Sequence, residues 1–152
     1  MAKRYAAETE VPIERSKRQI EVLLQEHGAE AYHAGWDSER DVIEFGWEGK
    51  QIRFVLRRPV KSAFAVSERG YSRSPRDQQR ALEQADRSRW RALYLVVRAK
   101  IEAVEAGIAI FEEEFMAFIV LPGVNKTVGE ILLPRIAEGK FDVSRALKEA
   151  NP

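Results

Sequence analysis

The chain has 152 residues, 45% hydrophobic and 32% charged, with a net charge of +1 at pH 7, a balance that suits one globular domain and excludes a disordered or low-complexity protein. It contains no cysteine, which excludes disulfides, thiol catalysis and cysteine zinc sites; His27 and His33 are the only imidazoles, so neither a metal nor a cofactor is expected. No apolar run approaches the roughly 18 residues of a membrane span and no charged-then-apolar leader opens the chain, so no membrane partner is expected and a cytoplasmic location follows by default.

Residues 1–10 are polar and without periodicity, and read as a flexible tail ahead of a single α+β domain over 11–150. Pro12 suits a first helical turn, the apolar residues Ile13, Ile20, Leu23 and Leu24 follow at helical spacing, and Gly28 is a terminator, so a helix is expected over 12–27 with His27 as a capping side chain. From Ala29 the period drops to two, giving strands at about 30–36, 41–47 and 50–57. Glu48 and Gly49 form a tight turn. Pairing Trp47 with Lys50 then sets Phe45 against Ile52 and Ile43 against Phe54 on one face, and Glu44 against Arg53 on the other.

Residues 58–76, RPVKSAFAVSERGYSRSPR, lack periodicity and read as a long basic loop. The stretch from Asp77 to Leu121 contains no proline, and Leu82, Ala85, Arg89, Leu93, Val97, Ile101, Val104 and Ile108 recur at steps of three or four. That spacing predicts one long amphipathic helix, with a bend near Gly107. LPGVNKT then forms a loop, Thr127 and Glu130 form a capping box, and a short helix follows in which Ile131, Leu132, Leu133 and Ile136 supply the buried side and Pro134 kinks or restarts it. A last short helix is expected over 143–150. The predicted class is α+β: an N-terminal helix, a three-stranded antiparallel sheet, a long amphipathic helix and a helical C-terminal segment.

The near-neutral total hides a block arrangement. Residues 1–49 carry 6 basic and 11 acidic side chains, residues 50–100 carry 14 and 4, and residues 101–152 carry 5 and 9. The basic middle third suits a polyanion. Arg57, Arg58, Lys61, Arg69, Arg73, Arg76, Arg80, Arg87 and Arg91 are candidate phosphate contacts, and Tyr71 and Phe64, interleaved with them, are candidate stacking platforms for unpaired bases. The expected function is therefore non-enzymatic binding of nucleic acid, DNA or RNA. A competing expectation is a protein-interaction module, in which the acidic and aromatic segment 102–121 docks a host factor, a defence protein or a second copy. Its interface residues would be Trp90, Tyr94, Phe111, Phe115 and Phe118, and a homodimer through the long helix would follow. A third expectation is a degenerate metal-dependent nuclease: Asp41 with Glu48-Gly49-Lys50 matches the acidic residue and Glu-x-Lys such sites use, and Asp41, Gln51 and Arg53 is a variant better placed on the strand.

The order helix, three antiparallel strands, helix over residues 12–106 resembles the double-stranded RNA-binding domain, whose second helix presents basic residues to phosphates. The likeness is of topology: the histidine that family carries between its first two strands is absent from DSERD, the 19-residue loop is foreign to it, and no residue role carries over. The run RWRALYLVVRAKIEAVEAGIAIFEEEFMAFIVLP, followed by TVGE, resembles small proteins encoded in bacteriophages and other mobile elements. That setting implies DNA or RNA metabolism, or interference with host defence, rather than metabolism of small molecules.

Overall fold

A computed structural model describes residues 4–140 and shows an α+β fold. In chain order the elements are α1 (Ile13–Glu26), β1 (Ala31–Trp36), β2 (Arg40–Trp47), β3 (Lys50–Arg57), α2 (Pro75–Glu105), α3 (Phe111–Phe115), β4 (Val120–Leu121), β5 (Lys126–Thr127) and α4 (Val128–Ala137). Single 3-10 turns lie at Lys61–Phe64 and Met116–Phe118. No helix among the described residues is long and apolar enough to cross a membrane.

The antiparallel sheet has the order β1-β2-β3, and the β2–β3 hairpin takes the expected register: Trp47 faces Lys50, Phe45 faces Ile52 and Ile43 faces Phe54. Glu48 and Gly49 both adopt positive φ, at 48° and 72°, which matches a two-residue turn to the right-handed twist of its strands. One face buries Ile43, Phe45, Ile52, Phe54 and Leu56. The other is wet and carries the Glu44–Arg53 ion pair at 2.5 Å, with Arg53 reaching on to Asn125.

The two long helices cover part of the buried face. Helix α1 contributes Ile20 and Leu24, and α2 contributes Trp90, Leu93, Val97 and Ile101. Ser16 of α1 is fully buried and its hydroxyl has no hydrogen-bond partner among the described residues. Ser16→Ala removes that unsatisfied group at almost constant volume, so chemical denaturation should show a gain of about 1 kcal/mol.

The expected 45-residue helix is corrected: α2 stops at Glu105. Gly107, at φ +70°, donates its N–H to Val104 O, and Ile108 N–H donates to Ala103 O, which closes the helix in a Schellman motif. The chain turns back, leaving Ile108 exposed, and lays α3 and the 3-10 turn onto the rest of the sheet face. Phe111 stacks on Trp47 at 5.1 Å and on Phe115 at 4.5 Å, Phe118 stacks on Phe54 at 4.2 Å, and Phe115 meets Phe45 and Phe54 edge-on.

Helix α4 begins with the expected capping box: Thr127 Oγ1 accepts from Glu130 N, and Glu130 Oε2 accepts from Thr127 N. Its Gly129 lies so near Ala117 that a Cβ would sit 2.8 Å from the Ala117 carbonyl oxygen, so glycine is required for this approach. The helix runs through Pro134, and its buried side is corrected, since Leu133 and Ile136 are exposed. The helix expected at 143–150 lies outside the described residues. At the other end, residues 4–10 are not a free tail. Ala6 is buried, and Gln84 of α2 donates to Ala7 O at 3.1 Å and Thr9 O at 2.9 Å, which straps this segment across the helix.

Candidate nucleic-acid interface

The segment 58–76 is built, although its sequence has no period. Val66 and Ser72 form a bridge, Ser67 N–H donates to Tyr71 O, and Gly70 N–H closes the tip onto Ser67 O, making a miniature hairpin with Arg69 at its end. Arg73 is its staple. Its N–H donates to Ala65 O, and its guanidinium donates to the carbonyls of Phe64 and Val66 at 3.3 and 3.1 Å. Ser74 then caps α2, its hydroxyl accepting from Asp77 N at 3.1 Å, and Pro75 occupies the first helical position, where a missing N–H costs nothing.

The base of this segment is fixed by an ionic network around Asp41, which is 5% exposed at the start of β2. Arg58 donates to its carboxylate at 2.9 and 3.3 Å, and Arg89 of α2 donates at 2.6 Å. Arg89 also donates to the carbonyls of Leu56 and Arg57 at 2.9 and 2.7 Å and pairs with Asp86, so one guanidinium ties α2 to the end of β3. Arg58 lies 5.2 Å from the Trp36 ring centroid, a cation–π contact on the rim of the network. Burial pushes the Asp41 carboxyl up, but the hydrogen bonds and charges of Arg58 and Arg89 outweigh it and hold the group below the usual carboxylate range.

The eleven residues expected at the interface therefore divide. Arg58 and Arg73 hold the scaffold; Arg87 bonds Gln84; Arg91 bonds Gln19 at 2.8 Å and lies over Tyr94. Arg57, Lys61, Arg69, Arg76 and Arg80 make no side-chain hydrogen bond or ion pair among the described residues, and all five are exposed. Tyr71 is 73% exposed beside them. Phe64 lines a cleft of about 680 Å3 with Tyr5, Pro59, Ala92 and Val96, between the N-terminal strap, the basic segment and the outer side of α2. The cleft was not legible in the sequence, because its walls come from three separate segments.

The expected partner interface is corrected. Trp90, Phe111 and Phe115 are 2%, 5% and 0% exposed, so they form the core and present no surface to a partner; Tyr94 and Phe118 are partly buried against that core. Trp90 lies three residues before Leu93 and seven before Val97, which places it on the buried face of α2. The acidic run is also occupied internally: Glu112 pairs with Lys50, Glu114 pairs with Lys100, and Glu113 accepts from Ile110 N. His27 ends α1 as its C-cap residue, and its side chain pairs with Glu105 of α2.

The nuclease constellation does not assemble either. Asp41 is neutralised by two arginines at one end of β2, whereas Glu48 lies in the hairpin turn at the other end and Lys50 is held by Glu112. Gln51 and Arg53 fall on the exposed and wet side of β3, opposite the face that Asp41 joins. No group of three His, Cys, Asp or Glu side chains among the described residues is arranged to hold a metal ion.

No family model matches the chain, and neither the curated proteins nor the solved structures contain a significant match to it.

Proposed function

We propose that the protein binds the phosphate backbone of a nucleic acid through Arg57, Lys61, Arg69, Arg76 and Arg80, with Tyr71 and Phe64 stacking on unpaired bases. One observation carries this reading: five cations between the end of β3 and the second turn of α2 have no side-chain hydrogen bond or ion pair among the described residues, on a segment whose backbone is held in place by hydrogen bonds. Several other charges are paired within the chain, as at Asp41, Glu112 and Glu114, whereas these five lie close together along one stretch of sequence. An ordered scaffold lowers the entropy lost when cations meet phosphates, and exposed Tyr71 with half-buried Phe64 adds sequence-tolerant contacts to single strands.

The test is fluorescence anisotropy with labelled single-stranded DNA, duplex DNA and RNA across a salt series. If all five cations contact phosphates, log affinity should fall with log salt at a slope of about −3.5 for single strands and about −4.5 for duplex. Charge reversal at Arg69 and Arg76 together should weaken binding at least tenfold and flatten that slope, whereas Arg135→Glu on α4 should change little. Arg73 is unsuitable for this test because removing it loosens the hairpin. Absence of any complex at low salt, or an affinity unmoved by the Arg69 and Arg76 reversals, overturns the reading.

A further inference from the structure

Strand β1 is an edge strand without the usual protection. Among the described residues it pairs only with β2, in a continuous register from Ala31–Gly46 to Trp36–Asp41, and its sequence AYHAGW has no charge, no proline and no bulge. The hydrogen-bond phase fixes which groups are free. Arg58 N–H donates to Glu39 O and Asp37 N–H to Arg40 O, so the odd-numbered β2 residues from Asp41 bond β3 and the even-numbered ones bond β1 through Ala31, His33 and Gly35. The backbone N–H and C=O groups of Tyr32, Ala34 and Trp36 then point away from the sheet.

We infer that β1 pairs antiparallel with β1 of a second copy about a two-fold axis at Ala34, joining two three-stranded sheets into one. The sequence is self-complementary in that register. Ala34 faces Ala34 of the partner subunit, and Tyr32 faces the partner's Trp36, so an aromatic pair forms on each side of the axis and about six backbone hydrogen bonds close. On the opposite face His33 meets the partner's Gly35, where no side chain competes for space. Trp36 is 74% exposed in the single chain, and this pairing covers it. Each aromatic pair would be flanked by Arg58, which lies over Trp36 while held by Asp41, and by Glu21, which adds to burial in raising the Tyr32 hydroxyl. Two six-residue strands bury less than the roughly 1,200 Å2 of a standard interface, so the association is weak, with a dissociation constant of about 0.1–1 mM.

Sedimentation equilibrium without nucleic acid, with amide exchange by NMR over the same concentrations, tests this. At low concentration the amides of His33 and Gly35 should be protected and those of Tyr32, Ala34 and Trp36 should exchange fast; at high concentration all five should be protected. Ala34→Lys adds a charge at the axis and Ala34→Pro removes an outward N–H while leaving the hydrogen bonds to β2 their donors, and each should weaken dimerisation at least tenfold. Thermal melts of both variants confirm that they fold. A wild-type chain that stays monomeric to about 1 mM overturns the inference. So does a dimer that both folded variants keep, or one in which the Tyr32, Ala34 and Trp36 amides stay unprotected.

Discussion

Asp41→Ala should cost the fold about 3–5 kcal/mol at neutral pH, measured as a fall in the urea midpoint. The cost comes mainly from what remains. The Arg89 side chain is 16% exposed, and without the carboxylate its guanidinium keeps Asp86 and two carbonyls but loses a charge partner at 2.6 Å. Removing both ends should cost less than the sum of the single changes, so a cycle of Asp41→Val, Arg89→Met and the double variant should show a coupling of 1–3 kcal/mol, of the size expected for residues sharing one network (about 0.5–3 kcal/mol). The acid limb gives an independent reading. Because the folded carboxyl sits below its unfolded value, its contribution is fully present above about pH 4 and is lost as the pH falls through the folded value. Wild type should therefore lose stability between pH 4 and lower values more steeply than Asp41→Ala. Since Arg89 also holds the Leu56 and Arg57 carbonyls, the variant should loosen the base of the basic segment and, on the proposed function, weaken nucleic-acid binding without removing one of the five candidate cations.

Local chemistry explains why some features could be read in advance. The β2–β3 register follows from an alternating pattern on both sides of a two-residue turn, where a one-residue slip would move Ile43, Phe45, Ile52 and Phe54 to the wet face. Thr127 and Glu130 sit at the spacing of a reciprocal cap, and Gly28 ends the first helix. Periodicity alone carries the long helix past its end, because Phe111, Phe115 and Phe118 keep helical spacing after Gly107; it records which residues share a face and not a reversal of the chain between two helices. Pairing of charges was the least legible feature. Asp41 is 17 residues from Arg58 and 48 from Arg89, so nothing local distinguished these structural arginines from Arg57 or Arg69. The candidate interface consequently shrank from nine cations to five, while Tyr71 kept its exposure.

Phe115→Ala is the second large effect, and it separates a core from a docking surface. Phe115 is fully buried, stacked on Phe111 and edge-on to Phe45 and Phe54, with the Lys100 ammonium 5.8 Å from its ring centroid. Truncation removes the transfer energy of the ring and leaves a cavity whose walls are strands β2 and β3, which collapse poorly because their register is fixed. The expected loss is about 3–5 kcal/mol, or roughly 6–20 °C in Tm for a chain of this length. Met116, the next residue, is 51% exposed, and Met116→Ala should stay within about 0.5 kcal/mol of wild type. A partner-facing Phe115 would behave in the opposite way, leaving the Tm of the isolated chain almost unchanged and weakening association instead. Thermal melts of the two variants at one low concentration, where strand pairing through β1 is negligible, therefore decide whether residues 111–118 form the third wall of the core or a surface for something else.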